Sequence, residues 1–456
     1  LWLTLCLATN SCTWLNSAVF ITNMRNFPLS RGTVSGILKG YVGISAAVYT
    51  LIYSVLLKGS TSGLLLFLTF GIPVLCVALM YFVQPCTPSG EDSAVHVHFI
   101  FTQATSVLLA VFLVGATLLN DLVSISDAVS YSFIAIMIIL MMTPLAIPAK
   151  MTLFPANSRK NRPWDGSSDQ LVSGDDDSTQ NDPLLMPSSS DLSLGSFYEN
   201  EDASYEYIQI LLAEGEGAVR KKRRPKRGED FKFGEAIVKA DFWLVIVCFF
   251  LGVGTGITVI NNLAQIGIAF GVENTSILLS VFSFCNFVGR LGGGAVSEHF
   301  VRSKTLPRTF WITCTQVIMV VAFILYAFAL NGTLYVSTAL VGICLGAQYS
   351  VMMPTVSELF GLKHFGVISS VMLLGSPIGA TLFSALLAGY VYDAEAAKQG
   401  SSTCYGGSCF GLTFLVLAGA CGLGSILSVV LTIRICPVYQ MLYAGGSFRL
   451  PQTSNE

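Results

Sequence analysis

Eleven continuous apolar runs, each 21 residues or longer, dominate this sequence: 1–21, 36–57, 63–83, 97–117, 129–149, 242–262, 276–296, 309–329, 333–356, 366–391 and 411–433. A helix of about 20 apolar residues crosses the ~30 Å hydrocarbon core of a bilayer, and within lipid each backbone polar group must be satisfied inside the spanning structure. Only helices and closed barrels meet that demand. Barrel strands are short and alternate apolar with polar residues, whereas Ser132–Met142 and Val317–Ala329 are apolar without alternation. The chain is therefore expected to be an all-α membrane protein, a helical bundle of about eleven transmembrane helices. With 53% hydrophobic and only 11% charged residues, a soluble globular enzyme is excluded.

The charges are unevenly placed. Of the 52 charged residues, 28 fall in 151–240, which leaves 24 for the other 366 positions. This divides the chain into a first membrane block at 1–150 with five spans, a polar insert at 151–240, a second block at 241–435 with six spans, and a tail at 436–456. The net charge of −2 argues against a nucleic-acid partner. Lys and Arg set the direction of the spans, because short cytoplasmic connections collect them. If the first span ends inside, the inner connections hold Arg25, Arg31, Lys150, Arg302, Lys304, Arg308, Lys363 and Arg434, and the outer ones only Lys58 and Lys398. Leu1 lies inside an apolar run that would begin outside. A cleaved signal peptide would account for this, but the simpler expectation is that upstream helices are missing, in odd number if the true N-terminus is cytoplasmic.

The insert is rich in Ser, Asp, Asn, Gly and Pro and reads as a disordered cytoplasmic linker, since it holds too little apolar surface to fold. Its basic run Arg220–Arg227 is expected to serve as ordinary positive-inside charge, with a clamp on anionic membrane lipid or a nuclear signal as the functional alternatives. Cys404 and Cys409 share one outer loop and form a disulfide candidate, because that side is oxidising. The sequons at Asn274 and Asn331 also fall on the outer side.

No metal-ligand spacing and no Ser/His/Asp arrangement occurs, so no metal site, cofactor or enzymatic activity is expected. Gly-x-x-x-Gly pairs recur at Gly36/Gly40, Gly289/Gly293, Gly342/Gly346 and Gly375/Gly379; small residues at this spacing let helices approach closely. Polar groups inside spans are costly in lipid and so face the bundle or a cavity. Three stripes qualify as a substrate path: Thr9, Thr13 and Asn16, with Asn23 a little further on; Thr255, Thr258, Asn261, Asn262 and Gln265; and Gln348 with Tyr349. The bland reading of each is interhelical hydrogen bonding. Lys39 and Arg290 lie well inside spans, where they either snorkel to the inner surface or act as gating or anion-attracting charges. No Asp or Glu lies at mid-depth.

Several segments together resemble one family. Arg25-Asn26-Phe27-Pro28-Leu29-Ser30-Arg31-Gly32, Gly36-Ile37-Leu38-Lys39-Gly40, Lys239-Ala240-Asp241-Phe242-Trp243 and Asn261-Asn262-Leu263-Ala264-Gln265-Ile266-Gly267 are four of them. Phe287-Val288-Gly289-Arg290-Leu291-Gly292-Gly293-Gly294, Ser357-Glu358-Leu359-Phe360-Gly361-Leu362-Lys363 and Ala388-Gly389-Tyr390-Val391-Tyr392-Asp393 complete the set. They closely resemble the plant nodulin-like family of the major facilitator superfamily. The resemblance implies about fourteen spans in full, three of them upstream of this chain. It also implies two pseudosymmetric halves moving about a central site, the mode of alternating access. The segment from Arg290 to Arg302, including Glu298, resembles the inner motif with which superfamily members latch the inward side. Arg25, Arg31, Lys39, Glu358 and Lys363 join Arg290, Glu298 and Arg302 as gating or inner-loop residues.

The function implied is secondary transport of a small solute, and similarity to monocarboxylate and oxalate carriers suggests an organic anion. A coupling ion such as H+ is a further partner, and the plasma or vacuolar membrane is the expected location. The alternatives are a non-transporting receptor or scaffold acting through the linker, and an inactive truncated isoform.

Overall fold

The computed structural model describes residues 16–80, 93–122, 126–147, 228–272, 275–328, 332–401 and 403–443. Thr9, Thr13, the sequons Asn274 and Asn331, and nearly all of the 151–240 insert lie outside the described residues. Leu145–Arg224 separate as a second unit, and every contact below belongs to the first. Among the described residues there is no strand, and ten helices are long and apolar enough to cross a membrane. The protein is an all-α, multi-pass membrane protein.

In chain order, α1 covers 16–26, α2 is Arg31–Leu56, α3 Thr61–Met80, α4 Ser93–Leu122 and α5 Asp127–Met142. After the insert come α6, Ala240–Asn261, the short α7, Leu263–Ala269, and α8, Thr275–Lys304. Then follow α9, Thr309–Ala327, α10, Thr333–Phe360, α11, Phe365–Lys398, and α12, Ser408–Leu442.

Several helices outrun their apolar runs at the Lys/Arg-rich, inner end. Helix α8 was expected to stop at 296 but continues to Lys304, and α10 continues from 356 to Phe360. Glu298, Arg302 and Glu358 are therefore helical residues and not loop residues. The extension of α8 follows from its charges: Arg302 and Lys304 sit in its last turn, where cations complement the helix dipole, and Glu298 pairs with Arg302 one turn on at 2.9 Å. Helix α11 is irregular over Ala380–Ala388, where the turns widen to i→i+5 bonding just after Pro377; a proline removes one helix donor and forces such an adjustment.

Packing is closest where glycines meet. A side chain on Gly289 would strike the Ile343 carbonyl, one on Gly346 the Asn286 carbonyl, and one on Gly293 would lie 2.8 Å from Ala347 Cα. This seam brings α8 and α10 backbone to backbone. Gly36 meets Gly294 on the α2–α8 side, and Gly254 meets Gly379 between α6 and α11. One apolar core joins α6 and α8–α12, and a smaller one joins α2, α4 and α5 with Phe287 and Leu291 of α8. At the outer end Cys404 and Cys409 are joined by a disulfide. Gly406 N there donates to Ala269 O at 2.8 Å, which ties the loop to α7.

Candidate solute cavity and inner closure

A buried ionic network ties the helices together at the Lys/Arg-rich end, the one expected to face inward. Arg308, fully buried between α8 and α9, donates from Nε to both oxygens of Glu358 at 2.9 and 3.0 Å. Its Nη2 reaches Glu298 Oε2 at 2.8 Å, and its Nη1 donates to Ser297 Oγ at 3.1 Å. Tyr443 donates to Glu358 Oε1 at 2.6 Å. Burial opposes the charge on Arg308, but Glu358 and then Glu298 more than offset it, so the guanidinium holds its proton above the ordinary arginine range. Burial, and after it the carboxylate of Glu358, push the Tyr443 hydroxyl well above its usual value.

Helices from before the insert are bound into this node. Glu298 Oε2 accepts the backbone N–H of Gly32 at 2.7 Å, so a carboxylate of α8 satisfies an orphan donor at the start of α2 and complements its dipole. Arg302 donates to Leu29 O and to Ser30 Oγ. Arg31, itself buried, donates to Ser357 O at 3.1 Å and Ser357 Oγ at 3.2 Å on α10. Arg25 at the end of α1 reaches the carbonyls of Leu362 and Lys363, both at 3.5 Å. Arg25, Arg31, Glu298, Arg302, Glu358 and Lys363 are thus gathered at one end, around an Arg308 that the sequence marked only as inner-loop charge.

Farther from that end lies a cavity of about 370 Å³ between α1, α2, α10 and α11. Asn16, Ser17, Phe20, Lys39, Met353, Phe365, Ser369 and Ser370 are among its lining residues. Lys39 Nζ stands 5.0 Å from the centre of the Phe20 ring. Beside Lys39, Arg290 donates from Nη1 to Lys39 O at 3.0 Å and from Nε to Asn286 Oδ1 at 2.7 Å, with its guanidinium 4.9 Å from the Tyr349 ring centre. Asn286 lies one turn nearer the outer end of α8, so Arg290 does not snorkel to the inner surface. Tyr349 in turn shares a hydrogen bond with Ser376 of α11 at 3.0 Å. Among the described residues no carboxylate pairs with Lys39 or Arg290, and no group of three or more His, Cys, Asp or Glu is placed to hold a metal ion.

The three stripes diverge. Asn16 lines the cavity, and Tyr349 packs on Arg290 and bonds to Ser376. Gln348 is turned the other way: it is 2% exposed, and its Nε2 donates to Thr315 Oγ1 at 3.2 Å on α9. Thr255 and Thr258 bond back to their own helix, and Thr255 also meets Cys421 of α12 at 3.1 Å. Asn262, at the outer end of α6, donates to Ser384 Oγ of α11 at 3.0 Å, while Asn261 and Gln265 are exposed. Gln348 and Thr255 therefore do not line the cavity. Each follows a glycine-rich approach of helices within 240–443, where Gly252 leaves room for the amides of Gln348 and Gln316. Asn286, Ser376, Phe20 and Phe365 had no sequence signal beyond their residue type.

Helices from both sides of the insert line one cavity and are tied by one network at the Lys/Arg-rich end, an arrangement that fits a transporter-type membrane protein. The Nodulin-like family model matches residues 1–149, and that of the NFD4 C-terminal domain matches 231–441. The chain thus carries a Nodulin-like domain followed by an NFD4 C-terminal domain, and a transporter of the major facilitator type is among its relatives. It is similar to "Protein NUCLEAR FUSION DEFECTIVE 4" of Arabidopsis thaliana, 28% identical over 96% of this chain and 72% of that protein. It is also similar to the "Uncharacterized MFS-type transporter YhjX" of Escherichia coli, 30% identical over 33% of this chain and 38% of that protein. A third relative, "Probable transporter MCH1" of Yarrowia lipolytica, is 28% identical over 38% of each.

Proposed function

We propose that this protein is a secondary carrier that moves a small organic anion across its membrane by alternating access. The observation that carries the reading is Lys39, a cationic side chain lining a cavity of ligand size, with Arg290 bonded to its carbonyl and no carboxylate partner to either among the described residues. Charges inside a membrane protein are expensive unless paired or put to use, and ligand pockets of 300–1,000 Å³ are typical for small molecules. An anion entering the cavity supplies the missing counter-charge. The inner network around Arg308 then serves as the closure that must open for release, with the five spans before the insert and the six after it as the moving halves. Proton coupling, anionic-lipid contact of the basic run, and a plasma or vacuolar membrane location belong to the same reading.

The test is uptake of labelled mono- and dicarboxylates into liposomes carrying the whole chain, with and without a pH step. Uptake of at least one acid is expected, and Lys39→Gln or Arg290→Gln should weaken its apparent affinity about 10- to 150-fold, the loss of one charge-assisted contact. Uptake confined to cationic or neutral solutes, or carboxylate uptake indifferent to both substitutions, overturns the reading.

A further inference from the structure

The cavity has an aromatic floor that joins helices from the two sides of the insert. Phe20 of α1 stacks on Phe365, the first residue of α11, with ring centres 6.4 Å apart and planes inclined by 25°. Immediately beside them a side chain on Gly366 would come within 2.9 Å of Ile21 Cδ1, so α1 and α11 touch along this seam. Of the other α1 and α11 lining residues, Asn16 and Ser370 sit a turn or more farther from the inner end, while Ile21 lines the cavity beside Phe20. The stacked rings form the part of the cavity wall nearest the inner end, together with Ile21.

Lys39 reaches both features. Its ammonium lines the cavity and also rests over the face of Phe20, 5.0 Å from the ring centre. A ring quadrupole attracts a cation, but a carboxylate offers the same ammonium charge-assisted hydrogen bonds, which are stronger. The ring and an anion in the cavity compete for one group.

The geometry points to Phe20 and Phe365 as the inner gate of this cavity, held shut through the Lys39 ammonium seated on Phe20 and released when an anionic solute draws that ammonium away. This rests on the carrier reading above. Once Lys39 turns to the anion, Phe20 loses the contact that holds its ring from α2 and keeps only its stacking on Phe365 and the neighbouring Ile21–Gly366 contact, so the occupied cavity opens inward more readily than the empty one.

The experiment reads gate opening directly. A Ser370→Cys reporter, in a whole chain whose other free thiols are replaced by alanine, is exposed to a membrane-impermeant maleimide from the inner face of inside-out vesicles. With no solute present, Lys39→Gln and Phe20→Leu should each speed labelling about 2- to 30-fold, the range that a cation–π contact supports. Lys39→Arg, which keeps the cation, should label as slowly as the parent, and Phe365→Leu serves as a second gate variant should Phe20→Leu fold poorly. If the Lys39→Gln and ring variants label at the parental rate, the gate assignment is overturned whatever uptake shows. If they label fast while benzoate, malate and oxalate leave the parent rate unchanged, the gate stands and the organic-anion reading falls.

Discussion

Arg308 is the charged centre of the inner network. It has no exposure and touches two carboxylates, one of which also caps the start of α2. Removing one member of a buried ion cluster leaves the others charged and unpaired, a loss of about 3–5 kcal/mol, whereas a partly exposed pair is worth ~0–1 kcal/mol. Arg308→Gln is therefore expected to cut the yield and melting temperature of detergent-purified protein sharply. Arg302→Gln, whose side chain is 29% exposed and whose partner Glu298 retains Arg308, should melt close to the parent. Equal melting of the two variants would show that Arg308 is not the centre of the closure.

Among the helices, α8 has the most demanding position, since it packs against α10, α2 and α4 at once. It meets α10 through backbone contacts at Gly289 and Gly293, and it meets α2 through Gly294. Lipid tails are as apolar as side chains, so close van der Waals approach, not hydrophobic exclusion, draws such helices together. The seam is selective by position: a side chain on Gly346 would strike the Asn286 carbonyl, while one on Gly292 would meet nothing within 4 Å. Gly346→Ala should accordingly cost about 1–3 kcal/mol by overpacking, seen as lower folded yield by size-exclusion chromatography. Gly292→Ala, which also favours helix, should keep the parental yield. Comparable yields of the two variants would mean that α8 and α10 adjust freely, contrary to the observed contact.

At the scale of the molecule, the network and the floor of the cavity lie at the same end, and that end carries the basic residues. Arg302, Lys304, Arg308 and Lys363 mark it, while Lys58 and Lys398 mark the opposite end. Cysteines placed at Ser60 and Gly400 should react with an impermeant thiol reagent from the outer or lumenal side, and one at Lys304 should not. Reaction at 304 in sealed, correctly oriented vesicles would invert the assignment and place the ionic closure on the far side of the membrane.

Helix number was legible in the amino-acid order, because in lipid it depends on a local quantity, the length of an apolar run, whereas the charged last turns that lengthen α8 and α10 were not. Ten of the eleven runs appear as spanning helices among the described residues. The remaining run, at 1–21, has only its last residues described. The glycine spacings on α8 and α10 likewise signalled close packing. The partners of each polar residue were not legible. Gln348 and Tyr349 are neighbours in sequence, yet helical geometry points one at α9 and the other toward Arg290 and α11. Arg308 and Glu358 are separated by 50 positions and meet only because α9 and α10 pack together. Such choices belong to the tertiary structure. A helix surrounded by other helices has no single solvent face to reveal its orientation, so only the packing of its neighbours decides which of its polar groups seal an interface and which meet the cavity.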